Sequence, residues 1–365
     1  MSFEKIKKNF GFGCMRLKLV DEQVDYPEFC RMIDLFMDAG FNYFDTAHGY
    51  INGQSETAIR DCLVARYDRE AYVLANKLSR WYFEKEEDII PLFETQLKQC
   101  GVEYFDFYLF HALSEKAYAK YKACNCFNIV QELKQQGKIK HIAMSFHDTA
   151  EVLDMILTEQ PCIEAVQLQF NYLDFDDPNV QSKACYDVAV KHGKKVLVME
   201  PVKGGALVDL PEEASQVLDG LGGGSYASYA LRFAASFPEV FMVLSGMGSV
   251  EMMEDNLNTF RDFVPLNEEE MAATAQVRQI IRQVHQLPCT SCRYCTEVCP
   301  QAIPIPDIFT LYNKVLAAKI SRAEAKTSFP ADKPHAGDCI VCGACEKVCP
   351  QSIKIRSHLE KISKW

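Results

Sequence analysis

Residues 41–50 read Phe41-Asn42-Tyr43-Phe44-Asp45-Thr46-Ala47-His48-Gly49-Tyr50, an aromatic run typical of a strand that ends in a carboxylate and is followed by a tyrosine. Two later apolar runs also end in reactive side chains: Tyr72-Val73-Leu74-Ala75-Asn76-Lys77 and Phe105-Asp106-Phe107-Tyr108-Leu109-Phe110-His111. Helical patterns separate the three runs. Because the carboxyl ends of parallel barrel strands converge on one rim, we expect the Asp, Tyr, Lys and His to meet there.

The alternation of strand and helix patterns continues to about residue 260. Short apolar runs at 10–14, 139–145, 165–170, 195–199 and 241–244 complete the set of strands. Eight strand–helix units predict parallel strands with crossover helices. A doubly wound sheet would normally carry a Gly-rich nucleotide fingerprint after its first strand, and Phe12-Gly13-Cys14-Met15 is not one. We therefore predict an α/β fold, with a (β/α)8 TIM barrel over 1–265, a helical linker over 266–285 and a further domain over 286–365.

The segment from residue 8 to about 260 resembles the aldo/keto reductases, on Gly11-Phe12-Gly13, Asp45-Thr46-Ala47 with Tyr50, Ser55-Glu56, Lys77 and His111. The resemblance implies a catalytic tetrad of Asp45, Tyr50, Lys77 and His111. In it, Tyr50 would be the general acid for a carbonyl that receives hydride from a nicotinamide. These residue types suit that task, because an ammonium stabilises a phenolate, a carboxylate keeps the ammonium charged, and a neutral imidazole can orient the substrate oxygen.

The resemblance also implies NAD(P)H contacts in the second half of the barrel. Ser145 and Gln167 match the residues that hold the carboxamide, and Met199 stands where the family has an aromatic residue on the ring. Further expected contacts are Lys203, Gly204 and Gly205, then Gly246 and Gly248, which lie in loops suited to phosphates, and Asn256, which matches an adenine contact. No Lys or Arg occurs between Arg232 and Arg261, where the family binds the 2′-phosphate, so we predict little preference for NADPH over NADH.

The C-terminal part contains an internal repeat, in which Cys289, Cys292, Cys295 and Cys299 recur fifty residues later as Cys339, Cys342, Cys345 and Cys349. This spacing, with Pro after the fourth cysteine, is that of bacterial two-cluster ferredoxins, whose fourth cysteine ligates the other cluster. We assign one [4Fe–4S] cluster to Cys289, Cys292, Cys295 and Cys349, and a second to Cys339, Cys342, Cys345 and Cys299. Zinc would ordinarily use two cysteine pairs. The domain is predicted to be α+β and ferredoxin-like, with an inserted helix over 308–326.

Charge and hydropathy limit the function. A net charge of −11 disfavours nucleic acid as a partner. No apolar run reaches the ~18 residues that a membrane helix needs, and residues 1–5 show no secretory signal, so the cysteines indicate metal sites in a reducing cytoplasm. We predict a cytoplasmic oxidoreductase for a small carbonyl or alcohol, with a redox partner protein left open. Two alternatives also remain: reduction driven by the clusters without tight nicotinamide binding, and a non-catalytic electron-transfer or interaction protein on a barrel scaffold.

Overall fold

The structure is a computed structural model that describes residues 3–284 and 286–365. Contacts divide the chain into two compact units. The barrel unit comprises Met1–Pro201 and Ala227–Leu266, and the cysteine unit comprises Val202–Tyr226 and Asn267–Trp365. We expected segment 202–226 to belong to the barrel, whereas its contacts group it with the C-terminal part of the chain. Residues 1, 2 and 285, which the predicted segments 1–265 and 266–285 include, lie outside the described residues.

The strands all lie in the barrel unit, within the described part of the chain: β1 (Phe10–Gly13), β2 (Leu19–Val20), β3 (Gln23–Val24), β4 (Tyr43–Asp45), β5 (Val73–Ser79), β6 (Phe105–Leu113), β7 (Ile139–Phe146), β8 (Ala165–Gln169), β9 (Lys195–Met199) and β10 (Val240–Ser245). A closed barrel forms in the order β1-β10-β9-β8-β7-β6-β5-β4, while β2 and β3 pair as a small antiparallel hairpin. Neighbouring barrel strands are parallel, for example β4 with β5 and β5 with β6. The (β/α)8 prediction is confirmed.

The helices follow the strands as predicted, with bounds α1 (Tyr26–Asp38), α2 (Gln54–Ile59), α3 (Ile89–Cys100), α4 (Glu115–Ala123), α5 (Cys126–Gln135), α6 (Ala150–Glu159), α7 (Ser182–Lys191), α8 (Glu212–Asp219), α9 (Tyr226–Ala235), α10 (Val250–Arg261), α11 (Glu268–Gln283), α12 (Tyr294–Glu297), α13 (Ile305–Leu316), α14 (Arg322–Ser328), α15 (Ala344–Val348) and α16 (Ile355–Ser363). Within the described part of segment 1–265, α4 and α8 were not anticipated. None of the helices in the described residues is long and apolar enough to span a membrane.

The barrel interior is filled by alternate residues of the strands, since successive strand side chains point to opposite faces. The buried cluster contains Tyr43, Val73, Ala75, Phe107, Leu109, Ala143, Ala165, Leu197, Met242 and Leu244. Phe3, Ile6 and Phe241 pack against it. Each of the larger aliphatic and Phe side chains contributes roughly 1.5–3 kcal/mol by leaving water. Because the interior is packed, polar side chains can gather only at the strand ends.

The inserted helix predicted over 308–326 is wrong as a single element. The segment forms α13 and α14 instead, because the helical backbone is interrupted between them. Ala318 adopts a left-handed φ of 55°, and Ser321 caps α14 by accepting a hydrogen bond from the backbone N–H of Glu324. The Glu324 carboxylate in turn accepts from the Ser321 backbone N–H at 2.7 Å, which fixes a new helix start there.

The sequence repeat of the cysteine unit is also a structural repeat. Helix α12 recurs as α15 and the start of α13 recurs as the start of α16, each fifty residues later. Left-handed backbone conformations recur in the same register, at Ser291 and Val341, and at Arg293 and Gly343. Among the described residues 286–365 no strand is assigned. After each cysteine run the backbone bonds locally instead, as where the Ile305 N–H donates to the Ile303 carbonyl at 2.8 Å.

Candidate active site and cysteine cavities

Barrel closure brings the predicted catalytic side chains to one rim. Asp45 ends β4, Lys77 lies near the end of β5, and His111 lies near the end of β6. Strand register places Asp45 opposite Ala75 and Ser79 opposite His111, so these strand ends are laterally adjacent. The register of the strands therefore agrees with the prediction that these strand ends lie side by side.

The centre of the rim is a buried ion pair. The Lys77 Nζ donates to Asp45 Oδ1 at 2.6 Å and to the Thr46 carbonyl at 2.8 Å. Burial raises the pKa of Asp45, although Lys77 and the Gln167 side chain oppose the shift. Burial likewise lowers the pKa of Lys77 against the pull of Asp45. Each charge is therefore retained because the other lies beside it.

Tyr50 lies directly over this pair. The Lys77 Nζ is 4.7 Å from the centroid of the Tyr50 ring. The loop that carries Tyr50 is fixed by its own backbone, since the Tyr50 N–H donates to the Ala47 carbonyl at 3.0 Å. The side chain is almost buried, with 8% of its surface exposed. A phenol in this position has a cation beneath its ring and only a small opening to solvent or substrate.

His111 is the second group at this opening. Its ring centroid is 6.0 Å from that of Tyr50, and its Nδ1 lies 2.6 Å from the Ser79 Oγ. Burial holds the pKa of His111 well below its usual range, and the positive Lys77 adds to the shift. The imidazole is therefore neutral near pH 7. Ser79 was missed from the sequence, although strand alternation places it on the same face of β5 as Lys77.

The residues expected at the nicotinamide carboxamide lie side by side. Ser145 on β7 is in register with Gln167 on β8, and both side chains are buried. The Ser145 Oγ accepts from the Ala112 N–H at 2.7 Å, which leaves its hydroxyl hydrogen for a further acceptor. Met199, half-buried, ends β9, the strand next to β8. This end of the expected cofactor site is a compact polar pair beside the tetrad.

The expected phosphate end is different, because protein oxygens occupy the N-terminal donors of α10. The Val250 N–H donates to Glu28 Oε1 at 2.9 Å, and the Met252 N–H donates to the Ser249 Oγ at 3.4 Å. Hydrogen bonds from the Ser249 hydroxyl and from the backbone N–H of Glu251 lower the pKa of the Glu251 carboxyl. Glu28 was not identified from the sequence. It lies 222 residues from Val250, so no local pattern marks it.

Arg16, a cation that the sequence did not indicate, packs against the neighbouring glycines. A Cβ on Gly246 would lie 3.1 Å from the Arg16 Cδ, and one on Gly248 would lie 3.2 Å from the Arg16 carbonyl oxygen. Arg16 therefore covers this loop, which contains no cation of its own. Asn256, expected at adenine, donates to the Ser245 Oγ at 2.8 Å.

The other expected phosphate loop lies in the cysteine unit. Lys203 is buried, and Lys203, Gly204 and Gly205 all have left-handed φ values. A Cβ on Gly204 would lie 2.3 Å from the Thr290 carbonyl oxygen, so only glycine fits there. Thr290 stands between Cys289 and Cys292. The glycine pair thus lets the loop approach the first cysteine run closely, a role that the sequence alone does not indicate.

The repeated cysteines line two cavities. Cys289, Cys292, Cys295 and Cys349 line one cavity, and Cys299, Cys339, Cys342 and Cys345 line the other. The grouping is that of the two predicted ligand sets, with the fourth cysteine of each run in the other cavity. Isoleucine side chains complete the walls, Ile305 being common to both. Four thiols around an apolar cavity are a donor set suited to a [4Fe–4S] cluster.

The remaining cysteines are small core residues for the most part. Cys14, Cys62, Cys100, Cys124, Cys126 and Cys185 are buried. Burial raises the pKa of the Cys126 and Cys185 thiols to about 12. Such thiols stay protonated and unreactive near neutral pH.

Comparisons with known proteins agree with both units. Residues 9–279 match the profile of the Aldo/keto reductase family, and residues 288–353 match that of a 4Fe-4S dicluster domain. The Bacillus subtilis protein YqkF, described as an uncharacterized oxidoreductase, is 21% identical over 307 residues, which cover 76% of this chain and 94% of the relative.

Solved structures share the barrel. The holo form of aldo-keto reductase AKR11C1 from Bacillus halodurans has a TM-score of 0.62 at 22% identity, over 74% of this chain and 91% of that one. An aldo-keto reductase from Klebsiella pneumoniae in complex with NADPH has a TM-score of 0.61 at 19% identity, over 75% and 95%. Because the family profile spans most of the sequence, this chain belongs to the aldo/keto reductase family of oxidoreductases, and it carries a C-terminal 4Fe–4S dicluster domain.

Proposed function

We propose that the protein interconverts a small-molecule carbonyl and its alcohol, with Tyr50 as the general acid and base. The observation that carries the proposal is the Tyr50 ring lying 4.7 Å from the Lys77 Nζ, which itself is 2.6 Å from Asp45. A phenol over a buried, paired cation can release and regain a proton, because the cation stabilises the phenolate. General acid catalysis of this kind contributes about 10²–10⁴-fold to the rate.

Each residue of the tetrad has a separate task in the reduction. Tyr50 donates its proton to the carbonyl oxygen. Lys77 stabilises the phenolate left behind, and Asp45 keeps Lys77 charged and aimed at the ring. The neutral His111 binds the same carbonyl oxygen and orients the carbonyl plane. When bound, a nicotinamide would supply the hydride to the carbonyl carbon.

The nicotinamide is proposed from Ser145 and Gln167, two buried polar side chains in register that could offer its carboxamide a donor and an acceptor. The Klebsiella pneumoniae protein with the same barrel was solved with NADPH, which supports a nicotinamide here too. The donors at the start of α10 favour NADH over NADPH, because Glu28 and Ser249 already fill them. A 2′-phosphate there would meet the carboxylates of Glu28 and Glu251, and the Arg16 side chain that packs on Gly246 would be the cation beside them.

We further propose two [4Fe–4S] clusters, one in each cysteine cavity. Such clusters would carry single electrons, whereas a hydride carries two. The chain's own residues would hold them through Cys289, Cys292, Cys295 and Cys349, and through Cys339, Cys342, Cys345 and Cys299. Ile305, which lines both cavities, would separate the two clusters with an apolar side chain.

A second candidate function is reduction driven by electrons from the clusters, without tight nicotinamide binding. The observations that favour it are the filled donors of α10 and the use of Gly204 in packing on Thr290. A reduced one-electron carrier protein would then have to supply two electrons in succession, and the carbonyl would take two protons. A purely non-catalytic scaffold is less well supported, since the buried Asp45–Lys77 pair is costly to keep without a use.

One titration separates the two candidates. The protein is purified without oxygen, and NADH and then NADPH are added to the holoprotein while cluster absorbance and nicotinamide absorbance are both followed. We expect carbonyl-dependent oxidation of NADH. Carbonyl reduction that needs dithionite or a reduced ferredoxin and ignores both nicotinamides would overturn the first proposal in favour of the second.

A further inference from the structure

Arg80 follows β5 directly and stands close to the catalytic rim. Its Cζ lies 5.0 Å from the centroid of the Trp81 ring. The Trp81 ring meets the His111 ring edge-on at 5.3 Å, and His111 in turn lies 6.0 Å from Tyr50. A short series of ring contacts therefore connects the guanidinium to the proposed general acid. Both Arg80 and Trp81 are half-buried, so this side of the opening is accessible to a ligand.

Arg80 differs from the paired arginines of the barrel in its lack of a carboxylate. Arg69 contacts Asp106 at 2.7 Å and Arg66 contacts Asp34 at 2.6 Å. Within residues 3–284 and 286–365, no hydrogen bond or ion pair joins the Arg80 guanidinium to an acidic side chain. Burial also lowers the pKa of Arg80, which indicates a charge partly withdrawn from water.

The described titratable groups beside Arg80 and His111 add no net charge. Lys77 is neutralised by Asp45 at 2.6 Å. His111 is neutral, and burial together with the positive Arg80 lowers the pKa of His147 to about 4. The acids Glu84 and Asp148 have partners of their own: Glu84 pairs with Lys120 at 3.0 Å, and Asp148 accepts the Glu115 backbone N–H at 2.9 Å. Among these described groups, Arg80 supplies the net charge.

We propose that Arg80 binds the carboxylate of an anionic carbonyl substrate, so that the substrates are oxo acids and the products hydroxy acids. A guanidinium presents a planar pair of donors that matches a carboxylate, and stacking on Trp81 holds that plane in place. The carbonyl oxygen is left to Tyr50 and His111. The substrate class rests on the proposed function, because it concerns the same opening.

The test uses oxo acids of increasing chain length, each compared with its neutral primary amide. In the holoenzyme, at least one acid should exceed its amide in kcat/KM by about 10- to 100-fold, the size of one charged hydrogen-bonded contact. Arg80→Gln should abolish this ratio mainly through KM, and Arg80→Lys should restore part of it. Lys116→Gln removes an exposed charge at the start of α4 and should leave the ratio as it is.

A binding measurement separates the substrate class from the reaction itself. Titration calorimetry follows the same acids and amides added to Tyr50→Phe and to Tyr50→Phe/Arg80→Gln protein. Acid binding that depends on Arg80 supports the inference even in a protein that reduces nothing. Carbonyl reduction with no acid preference, or a preference that survives Arg80→Gln, overturns the inference and leaves the proposed function standing. If Arg80 only packed on Trp81, Arg80→Gln would lower the melting temperature without changing the acid-to-amide ratio.

Discussion

At the residue scale, the rim is organised by the cost of burying charge. An ion in a protein interior loses several kcal/mol of hydration, which a partner must offset. Lys77 and Asp45 offset each other, and their side chains are only 1% and 5% exposed. His111 and His147 avoid this cost by staying neutral, because burial lowers their pKa values. The rim therefore holds a cation beneath the phenol of Tyr50 with imidazoles that add no further charge.

This arrangement predicts a loss of stability in mild acid. An unfolded histidine titrates near pH 6.5, whereas the pKa of His147 is lowered to about 4 and that of His111 is also lowered. Between these values the unfolded chain binds more protons than the folded one, so the free energy of unfolding falls as pH falls. His147→Gln should flatten this dependence between about pH 6.5 and 4.5. Denaturant unfolding of the barrel at several pH values measures it, and an unchanged slope would contradict the assignment.

At the scale of elements, helix α10 shows how a distant carboxylate can set cofactor choice. Its N-terminal donors could bind a phosphate, but Glu28 from α1 accepts from one of them. We therefore expect the affinities for NADPH and NADH to differ by less than roughly tenfold, about 1.4 kcal/mol. Glu28→Gln keeps an acceptor oxygen and removes the charge, so it should raise relative NADPH binding by about fivefold.

The control is Glu103→Gln, which removes an exposed charge in the loop before β6, at the opposite end of the barrel. It should leave the NADPH-to-NADH ratio unchanged. Met252→Arg, on an exposed position in the first turn of α10, should raise the ratio further by supplying a phosphate-binding cation. Equilibrium binding at fixed salt provides the values. A hundredfold NADPH preference in the unmodified protein would show that another residue holds the phosphate.

The cysteine repeat makes a prediction at the same scale. Cys349 ends the second cysteine run, yet it lines the cavity of Cys289, Cys292 and Cys295 of the first run. Cys349→Ser should therefore damage the cluster of the first run, and Cys299→Ser that of the second run. Iron content and the electron paramagnetic resonance of the reduced protein distinguish the two. Loss of the same cluster in both variants, or of each run's own cluster, would refute the crossed assignment.

At the scale of the whole molecule, the sequence predicted what depends on short-range patterns. Alternating strands and helices gave the barrel, and the spacing of the cysteines gave two groups of four. Contacts that barrel closure creates between distant residues were not predictable, such as Glu28 on Val250 and Arg16 over Gly246. The contact of Gly204 with the Thr290 backbone was also not predictable. A glycine pair in a sequence does not show whether a phosphate or a protein backbone approaches it.

The most direct test of the account is the turnover of Tyr50→Phe. The change removes one hydroxyl and keeps the ring over Lys77, so nicotinamide binding should stay near that of the unmodified protein. Tyr67→Phe, which removes a hydroxyl bound to Asp34, is the matched control. Carbonyl reduction by the anaerobic holoprotein should fall by about 10²–10⁴-fold in Tyr50→Phe and remain unchanged in the control. A Tyr50→Phe protein that reduces the carbonyl at the unmodified rate would show that the proton comes from another group.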